Sequence, residues 1–269
     1  MHPCAYDTSM RDLASLSDAL MPVVERASTA IMQIYDGAFA VQRKDDNSPL
    51  TLADLESQRV IIEGLKRLTP EIPILSEESA AAPWAERQTW HELWVVDPLD
   101  GTREFVKRNG EFTINIALIV QHEPVLGVVC APAQKVTYWG MVGHGAFMRM
   151  HAAETRAIHT APLQRPVRVL GSRSHASAQT AAFLARLGPH VVGGMGSSLK
   201  FCLLAEGKAD LYVRFGATSE WDTAAGQAVL EAAGGHVTRM DGHRMRYNCR
   251  ESLINGDFVA FSDPQVLPS

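Results

Sequence analysis

The sequence predicts a mixed fold of the α+β or α/β class, with helices covering β-sheets. Three observations carry that prediction. Apolar residues recur at helical spacing over 13–35 and again after residue 51, marking two amphipathic helices. Between 72 and 141, short apolar runs rich in Val and Ile follow one another across turn residues, as strands do. From 167 to 237, strand-like and helix-like segments alternate, which requires an α/β layer with some parallel pairing. At 269 residues the chain can bury a full core, as one large unit or two closely packed smaller ones.

The elements follow in order. Leu16, Leu20, Val23, Val24, Ala27, Ile31 and Ile34 form the stripe of the first helix, which Gly37 ends. Residues 41–48, with Arg43, Lys44, Asp45 and Asp46, read as a solvated strand or hairpin. Thr51 and Asp54 have capping-box spacing ahead of a helix carrying Val60, Ile61, Leu65 and Leu68 on one face. A strand at 72–76 runs into Glu77 and Glu78, only one of which can easily face a given site. A buried strand ending near Val96 leads into Asp97-Pro98-Leu99-Asp100-Gly101-Thr102, and strands follow at 112–120, 125–131 and 136–141. Gly140, Gly143 and Gly145 read as hairpin punctuation. Polar, Pro-containing sequence around 152–166 marks a boundary between an amino half, 1–160, and a carboxyl half, 161–269. In that second half strands are expected at 167–170, 191–192, 209–213 and from 236. Helices are expected at 176–187, 198–205 and 223–233.

Bulk properties exclude several function classes. A formal charge of −5 does not suit a nucleic acid polymer or an anionic membrane as main partner. Cys4, Cys130, Cys202 and Cys249 form no CxxC pair, which argues against a zinc site or disulfide scaffold and suits a reducing cytoplasm. The first ten residues lack the basic and apolar regions of a signal peptide, and no run has the length of a transmembrane segment. No Walker A loop and no dinucleotide fingerprint occur.

Chemistry concentrates where the central strand ends. Pro98 interrupts ladder pairing and Gly101 permits a tight turn, so Asp97 and Asp100 stand at a strand-to-turn transition. Thr102 then opens a short helix whose first amides can hold an anion. Carboxylates spaced this closely can share hard cations and a phosphate, although such a turn alone also arises as an ordinary cap. Asp54 reads as either a helix-capping acid or a water-activating one. Asp222, opening a helix of small residues, reads as an N-cap or a third metal-binding acid. Gly194-Met195-Gly196-Ser197-Ser198-Leu199-Lys200 is a Gly/Ser loop opening a helix, suited to a phosphate or to plain capping.

Taken together, Glu77-Glu78, Asp97-Pro98-Leu99-Asp100-Gly101-Thr102 and Trp221-Asp222-Thr223-Ala224-Ala225-Gly226 resemble the signature set of the Mg²⁺-dependent, lithium-sensitive phosphomonoesterases, the inositol monophosphatase superfamily. Leu75-Ser76-Glu77-Glu78, the 107–113 segment, Gly196-Ser197-Ser198-Leu199-Lys200-Phe201-Cys202 and Arg214-Phe215-Gly216 resemble its CysQ branch, and the resemblance runs from about residue 19 to 261. It implies a layered αβαβα sandwich and a 3'(2'),5'-bisphosphate nucleotidase that converts adenosine 3',5'-bisphosphate to AMP and phosphate in sulfur assimilation. Residue by residue it implies two or three Mg²⁺ ions held by Glu77, Asp97, Asp100, Asp222 and the Leu99 carbonyl. Asp54 and Thr102 would orient the attacking water. The Gly101 and Thr102 amides would hold the scissile phosphate. Ser197, Lys200, Arg214 and His175 would contact the nucleotide, with Glu77 and Asp222 also facing the substrate.

The reading leaves two rivals. One is an inositol monophosphatase or sugar bisphosphatase working on the same metal site. The other is a catalytically silent metabolite binder, against which five retained carboxylates argue. A small-molecule partner, a cytoplasmic location, peripheral at most to the inner membrane, and a monomeric or homodimeric state complete the expectations.

Overall fold

Three apolar layers, stacked between helices and two sheets, organise the fold. The computed structural model of the chain describes residues 12–38, 40–43, 49–151, 153–172 and 177–268. Helix α1 (Leu13–Tyr35) is capped by Asp12, whose carboxylate accepts the amides of Ala14 and Ser15. Strands β1 (Val41–Arg43) and β2 (Pro49–Thr51) form the expected hairpin, and its tip, 44–48, lies outside the described residues. Helix α2 (Leu52–Leu68) packs on α1, and the faces they share turn toward the first sheet.

That sheet has seven strands in the order β3 (Ile74–Ser76), β4 (Glu92–Asp100), β5 (Thr113–Val120), β6 (Glu123–Ala131), β7 (Val136–Met141), β8 (Gly145–Met150) and β9 (Arg156–Ile158). Among the described residues of this sheet, only the β3–β4 pair is parallel. Two short helices, α3 (Trp84–Arg87) and α4 (Thr102–Val106), flank β4 in sequence. Alternation along the strands divides their side chains between two layers. Trp94, Val96, Ile114, Ile116 and Leu118 meet α1 and α2, whereas Leu93, Val95, Ala117 and Ile119 face the other way.

On that other face lie α6 (Leu199–Ala205) and α7 (Ala224–Ala232). Beyond them is a five-stranded sheet ordered β11 (His190–Met195), β10 (Val167–Ser172), β12 (Leu211–Arg214), β16 (Phe258–Phe261), β14 (His236–Arg239). Both pairs made by β10 are parallel and both made by β16 antiparallel. Its outer face carries Val167, Leu211, Val213 and Val259 against α5 (Ala178–Ala185), through Phe183 and Leu184. In a small antiparallel pair, β13 (Thr218–Ser219) with β15 (Ile254–Asn255), β13 immediately precedes the turn that leads into α7. The layers therefore run helix, sheet, helix, sheet, helix, as the resemblance implied. Residue 160 falls between β9 and β10, and one apolar layer joins both sheets through α6 and α7.

One expectation is corrected by packing. Gly140 is not hairpin punctuation but lies inside β7, where an added Cβ would stand 2.7 Å from the Val229 Cα. Gly127 on β6 is placed likewise, 2.4 Å from the Ala225 carbonyl oxygen. These two glycines let α7 sit directly on the sheet backbone, which carries the turn ahead of α7 close to β4. The pattern of hairpin signals looked the same for a turn and for a close approach. Strands β8, β9, β13, β15 and β16 went unpredicted, being short or flanked by polar residues.

Candidate active site

The site begins where β4 ends. Asp97 pairs with Asn115 and Asp100 with Thr113, and between them the ladder is irregular, so Pro98 falls where no amide is required. Asp97 Oδ1 accepts the Leu99 amide at 3.0 Å, closing the turn around the Leu99 carbonyl. Gly101 follows with φ +88, the left-handed region, and is the N-cap of α4. The Ser57 hydroxyl donates to the Pro98 carbonyl at 2.7 Å, fastening α2 to this turn.

That fastening brings Asp54 in. Asp54 is buried, and its Oδ2 accepts from the Thr51 amide at 2.8 Å and the Thr51 hydroxyl at 2.7 Å. Its other oxygen accepts from the Thr102 hydroxyl at 3.2 Å. The capping and the chemical readings of Asp54 are thus both open to it, one on each oxygen. Burial raises its pKa, an effect that the Thr51 hydrogen bonds oppose and Glu78 adds to.

Glu77 is carried in by β3, its amide donating to the Val96 carbonyl at 3.2 Å. Asp222 arrives from a single 3₁₀ turn, Glu220–Asp222, that precedes α7, and its Oδ2 accepts the Ser219 amide at 2.8 Å. Glu77, Asp97 and Asp222 each place one carboxylate oxygen within 4.8 Å of the others. Burial, and after it the charges of Glu77, Asp100 and Asp222, pushes the Asp97 carboxyl well above its ordinary range. Asp222 is raised by burial and then by Asp100. Asp100 is raised by burial, with the Lys200 ammonium pulling the other way. Crowded carboxylates of this kind are destabilising until cations neutralise them. An all-oxygen donor set of this charge fits a hard divalent ion rather than zinc or copper.

A second segment closes the site from the carboxyl half. Ser198 lies with its Oγ 3.0 Å from Asp100 Oδ2 and 2.7 Å from the Asp222 carbonyl oxygen, and it accepts from Asn115 Nδ2 at 2.9 Å. Its one proton serves Asp100 or Asp222, so this hydroxyl ties the two halves of the acid set together. Glu111 Oε2 accepts the Gly196 amide at 2.8 Å, bracing the same loop from the 107–113 segment. Ser197 has φ +47, and its Oγ is buried without a hydrogen-bond partner among the described residues. Its Cβ lies 3.4 Å from where a Gly101 Cβ would be, so this unsatisfied hydroxyl belongs to a residue beside the Gly101–Thr102 turn.

The expected nucleotide contacts divide. Arg214 is half-buried, its Nη2 donates to the Ala217 carbonyl at 3.2 Å, and its Nε has no partner among the described residues. Lys200 meets the backbone of its own loop. It is buried, its Nζ donates to the Ser197 carbonyl at 2.5 Å and lies 3.3 Å from that of Met195, and it sits over the Tyr212 ring. Burial brings its pKa down to about 8, against the pull of Asp100. Its ammonium therefore pins the 195–197 loop and offsets Asp100. His175 lies outside the described residues. Sequence reasoning reached Ser198 only as part of the Gly/Ser loop and Glu111 only as part of the 107–113 segment, and it missed Asn115 as a site residue. Asn115 had a usable signal, a polar residue inside an otherwise apolar strand.

Comparison with known proteins bears on this geometry. The inositol monophosphatase family profile matches residues 12–264. The 3'(2'),5'-bisphosphate nucleotidase CysQ of Salmonella typhimurium is 51% identical over 238 residues, 88% of this chain and 95% of that protein. The protein of the same name from Escherichia coli K12 is 48% identical over 243 residues, 90% of this chain and 97% of that one. Among solved structures, CysQ from Bacteroides thetaiotaomicron, described as a bacterial member of the inositol monophosphatase family, superposes with a TM-score of 0.82. It is 37% identical, covering 92% of this chain and 97% of its own.

Proposed function

The chain belongs to the inositol monophosphatase family, and from that premise we propose that it is a CysQ-type 3'(2'),5'-bisphosphate nucleotidase, releasing the 3'-phosphate of adenosine 3',5'-bisphosphate to leave AMP. The observation that carries the chemistry is the convergence of the Glu77, Asp97 and Asp222 oxygens within 4.8 Å, beside Asp100. The substrate class rests on kinship across about nine-tenths of the chain. Family members are metal-dependent, and the residues fitted to the metal are Glu77, Asp97, Asp100, Asp222 and the Leu99 carbonyl, for two or three Mg²⁺ ions. Mg²⁺, when bound, supplies the positive charge that a phosphomonoester dianion and its leaving oxygen require.

The chain's own groups do the rest. Thr102 donates to Asp54, which leaves its oxygen lone pairs to accept a proton of the attacking water and orient it. Asp54, with its pKa raised by burial, is a carboxylate poised nearer neutrality than a free one, as a general base should be. The Gly101 and Thr102 amides are the donors for the scissile phosphate. The Ser197 hydroxyl and Arg214 Nε, unsatisfied among the described residues, are polar atoms available to the rest of the nucleotide. No Ser, Cys or His nucleophile is needed, so no covalent phosphoenzyme forms. Among the described residues no helix is long and apolar enough to cross a membrane, and the nucleotide itself is the partner the site is built for.

The test is phosphate release from adenosine 3',5'-bisphosphate, with and without Mg²⁺ and with added Li⁺, alongside inositol 1-phosphate. Mg²⁺-dependent, Li⁺-suppressed release yielding AMP is expected. Turnover of inositol phosphate alone would keep the metal site and discard the nucleotide assignment. No release from any phosphomonoester would return the silent binder.

A further inference from the structure

Seven residues contribute a buried polar network that no step above uses. It surrounds the turn bearing Asp222. The Glu220 carboxylate, 1% exposed, accepts the Asn248 amide with both oxygens, at 3.0 and 2.8 Å. Asn248 is fully buried with φ +50, and its side chain is locked both ways to Arg87. Arg87 Nη1 donates to Asn248 Oδ1 at 2.7 Å, and Asn248 Nδ2 donates to the Arg87 carbonyl at 2.7 Å. The remaining Arg87 donors go to the carbonyls of Ala82 at 3.0 Å and Glu251 at 2.7 Å. At the two ends of the same stretch, Asn255 Nδ2 lies 2.8 Å from the Ser219 carbonyl and 3.0 Å from Thr223 Oγ1. The Tyr247 hydroxyl is 2.7 Å from Gln227 Oε1 and 3.2 Å from Thr223 Oγ1.

We infer that Tyr247, Asn248 and Asn255, anchored to the amino half by Arg87, form a positioning collar that sets the Asp222 carboxylate for cation binding. A buried charged and polar network is an inefficient way to stabilise a core, since apolar packing of equal volume does as well or better. What this one provides is position. Its bonds converge on residues 219–223, the one stretch that must hold a carboxylate in register with Glu77 and Asp97, which are carried by a different sheet. Asp222 has no strand of its own, so beyond the Ser219 amide and the seating of α7, its fine placement falls to the side chains around the turn. Arg87 and Asn248 are 161 residues apart in sequence, so the collar also fixes the turn relative to the half that supplies the other acids. These are positioning residues, since none of them touches the reacting atoms.

The inference rests on the reading of Asp222 as a metal ligand, and the experiment separates the two. Metal-free wild type, Asn248→Gly and Tyr247→Phe are titrated calorimetrically with Mg²⁺, well below their melting temperatures. Arg244→Met is the control. It breaks a partly buried ion-pair network with Glu231, farther along α7, and so perturbs the same helix without removing a collar side chain. Asn248→Gly is expected to weaken Mg²⁺ binding about tenfold or more, the usual scale for groups that orient metal ligands. Tyr247→Phe should weaken it by roughly threefold, as for one lost hydrogen bond. Arg244→Met should leave it unchanged, and at saturating Mg²⁺ the nucleotide KM should be unchanged in all three. Wild-type affinity in both collar variants, or equal weakening in Arg244→Met, overturns the collar. If Asn248→Gly does not fold, Tyr247→Phe decides. Absence of Mg²⁺ binding by the wild type overturns the metal-ligand reading instead, and the collar with it.

Discussion

Asp97 and Asp100 stand at the end of a strand laddered to β3 and β5, whereas Asp222 stands in a single 3₁₀ turn surrounded by side chains from elsewhere. In the first case the backbone does the positioning. Hydrogen bonds that any sequence of the right pattern can make bring both acids to the same edge of the sheet. In the second, placement is spread over residues as distant as Arg87 and Asn255, each tolerable alone as an ordinary polar residue. Scaffolds of the first kind depend on register. Those of the second depend on every member being satisfied.

The largest effect should come from the acids themselves, and it should be similar on both scaffolds. Asp100→Asn removes a metal-facing charge from a site rich in acid, and Asp222→Asn does the same from the other half. Phosphate release should fall by about 10²–10³-fold or more in each, the scale for losing a principal electrostatic contact in a transition state. The fold should persist, because removing one of several crowded buried carboxylates relieves repulsion. Full activity of Asp100→Asn in Mg²⁺ would sink the ligand assignment.

The next effect sets the whole acid group against solvent protons. Asp97, Asp100 and Asp222 have raised pKa values, chiefly through burial, and Glu220 is raised by burial to about 7. A carboxyl with a folded pKa above its unfolded one binds protons more readily in the native state. It therefore contributes stability that is present below the unfolded pKa, near 4, and is lost as pH climbs through the folded one. The metal-free protein should accordingly melt at higher temperature at pH 5.5 than at pH 7.5. Saturating Mg²⁺ should raise the melting temperature most at pH 7.5 and flatten the profile. A metal-free melting temperature that rises with pH over this window would contradict the site's electrostatics.

Ser198 is where the two scaffolds meet, so its removal sharpens the comparison. Ser198→Ala deletes the hydroxyl shared by Asp100 and the Asp222 carbonyl and leaves Asn115 Nδ2 only its longer, 3.5 Å contact with Asp100. About a tenfold loss of activity at limiting Mg²⁺ is expected, largely recovered at high Mg²⁺. Loss that excess Mg²⁺ does not recover would place Ser198 in substrate contact.

How much of this was legible follows the same division. Helix α1 and the strands around β4 were readable because long periodic runs have few alternatives. Asp97, Asp100, Gly101 and Thr102 were readable because strand end, Pro and Gly occur together within six residues. Asp54 and Asp222 were each visible as possible caps. Only the resemblance raised them further, since a cap and a ligand have one local signature. That Lys200 turns onto carbonyls was not legible, because sequence shows a cation near a loop but not the burial around it. Arg87, Asn248 and Glu220 had no signal at all. Partners 161 residues apart share no spacing that a local pattern can register.

The smallest effect tests the backbone-held side at its margin. Thr51 caps α2, accepting the Ala53 amide at 3.2 Å, while its own hydroxyl donates to Asp54 at 2.7 Å. Thr51→Ala removes both, and losing such a cap costs about 1 kcal/mol, or roughly 2–4 °C in melting temperature for a chain of this size. The Thr51 amide still holds Asp54 Oδ2 at 2.8 Å, and Thr102 still holds the other oxygen. The acid therefore stays in place through backbone and neighbour, and kcat should change less than threefold while the melting temperature drops. If kcat falls about tenfold or more instead, then Asp54 is as dependent on its side-chain surroundings as Asp222, and the contrast between the two scaffolds does not extend to α2.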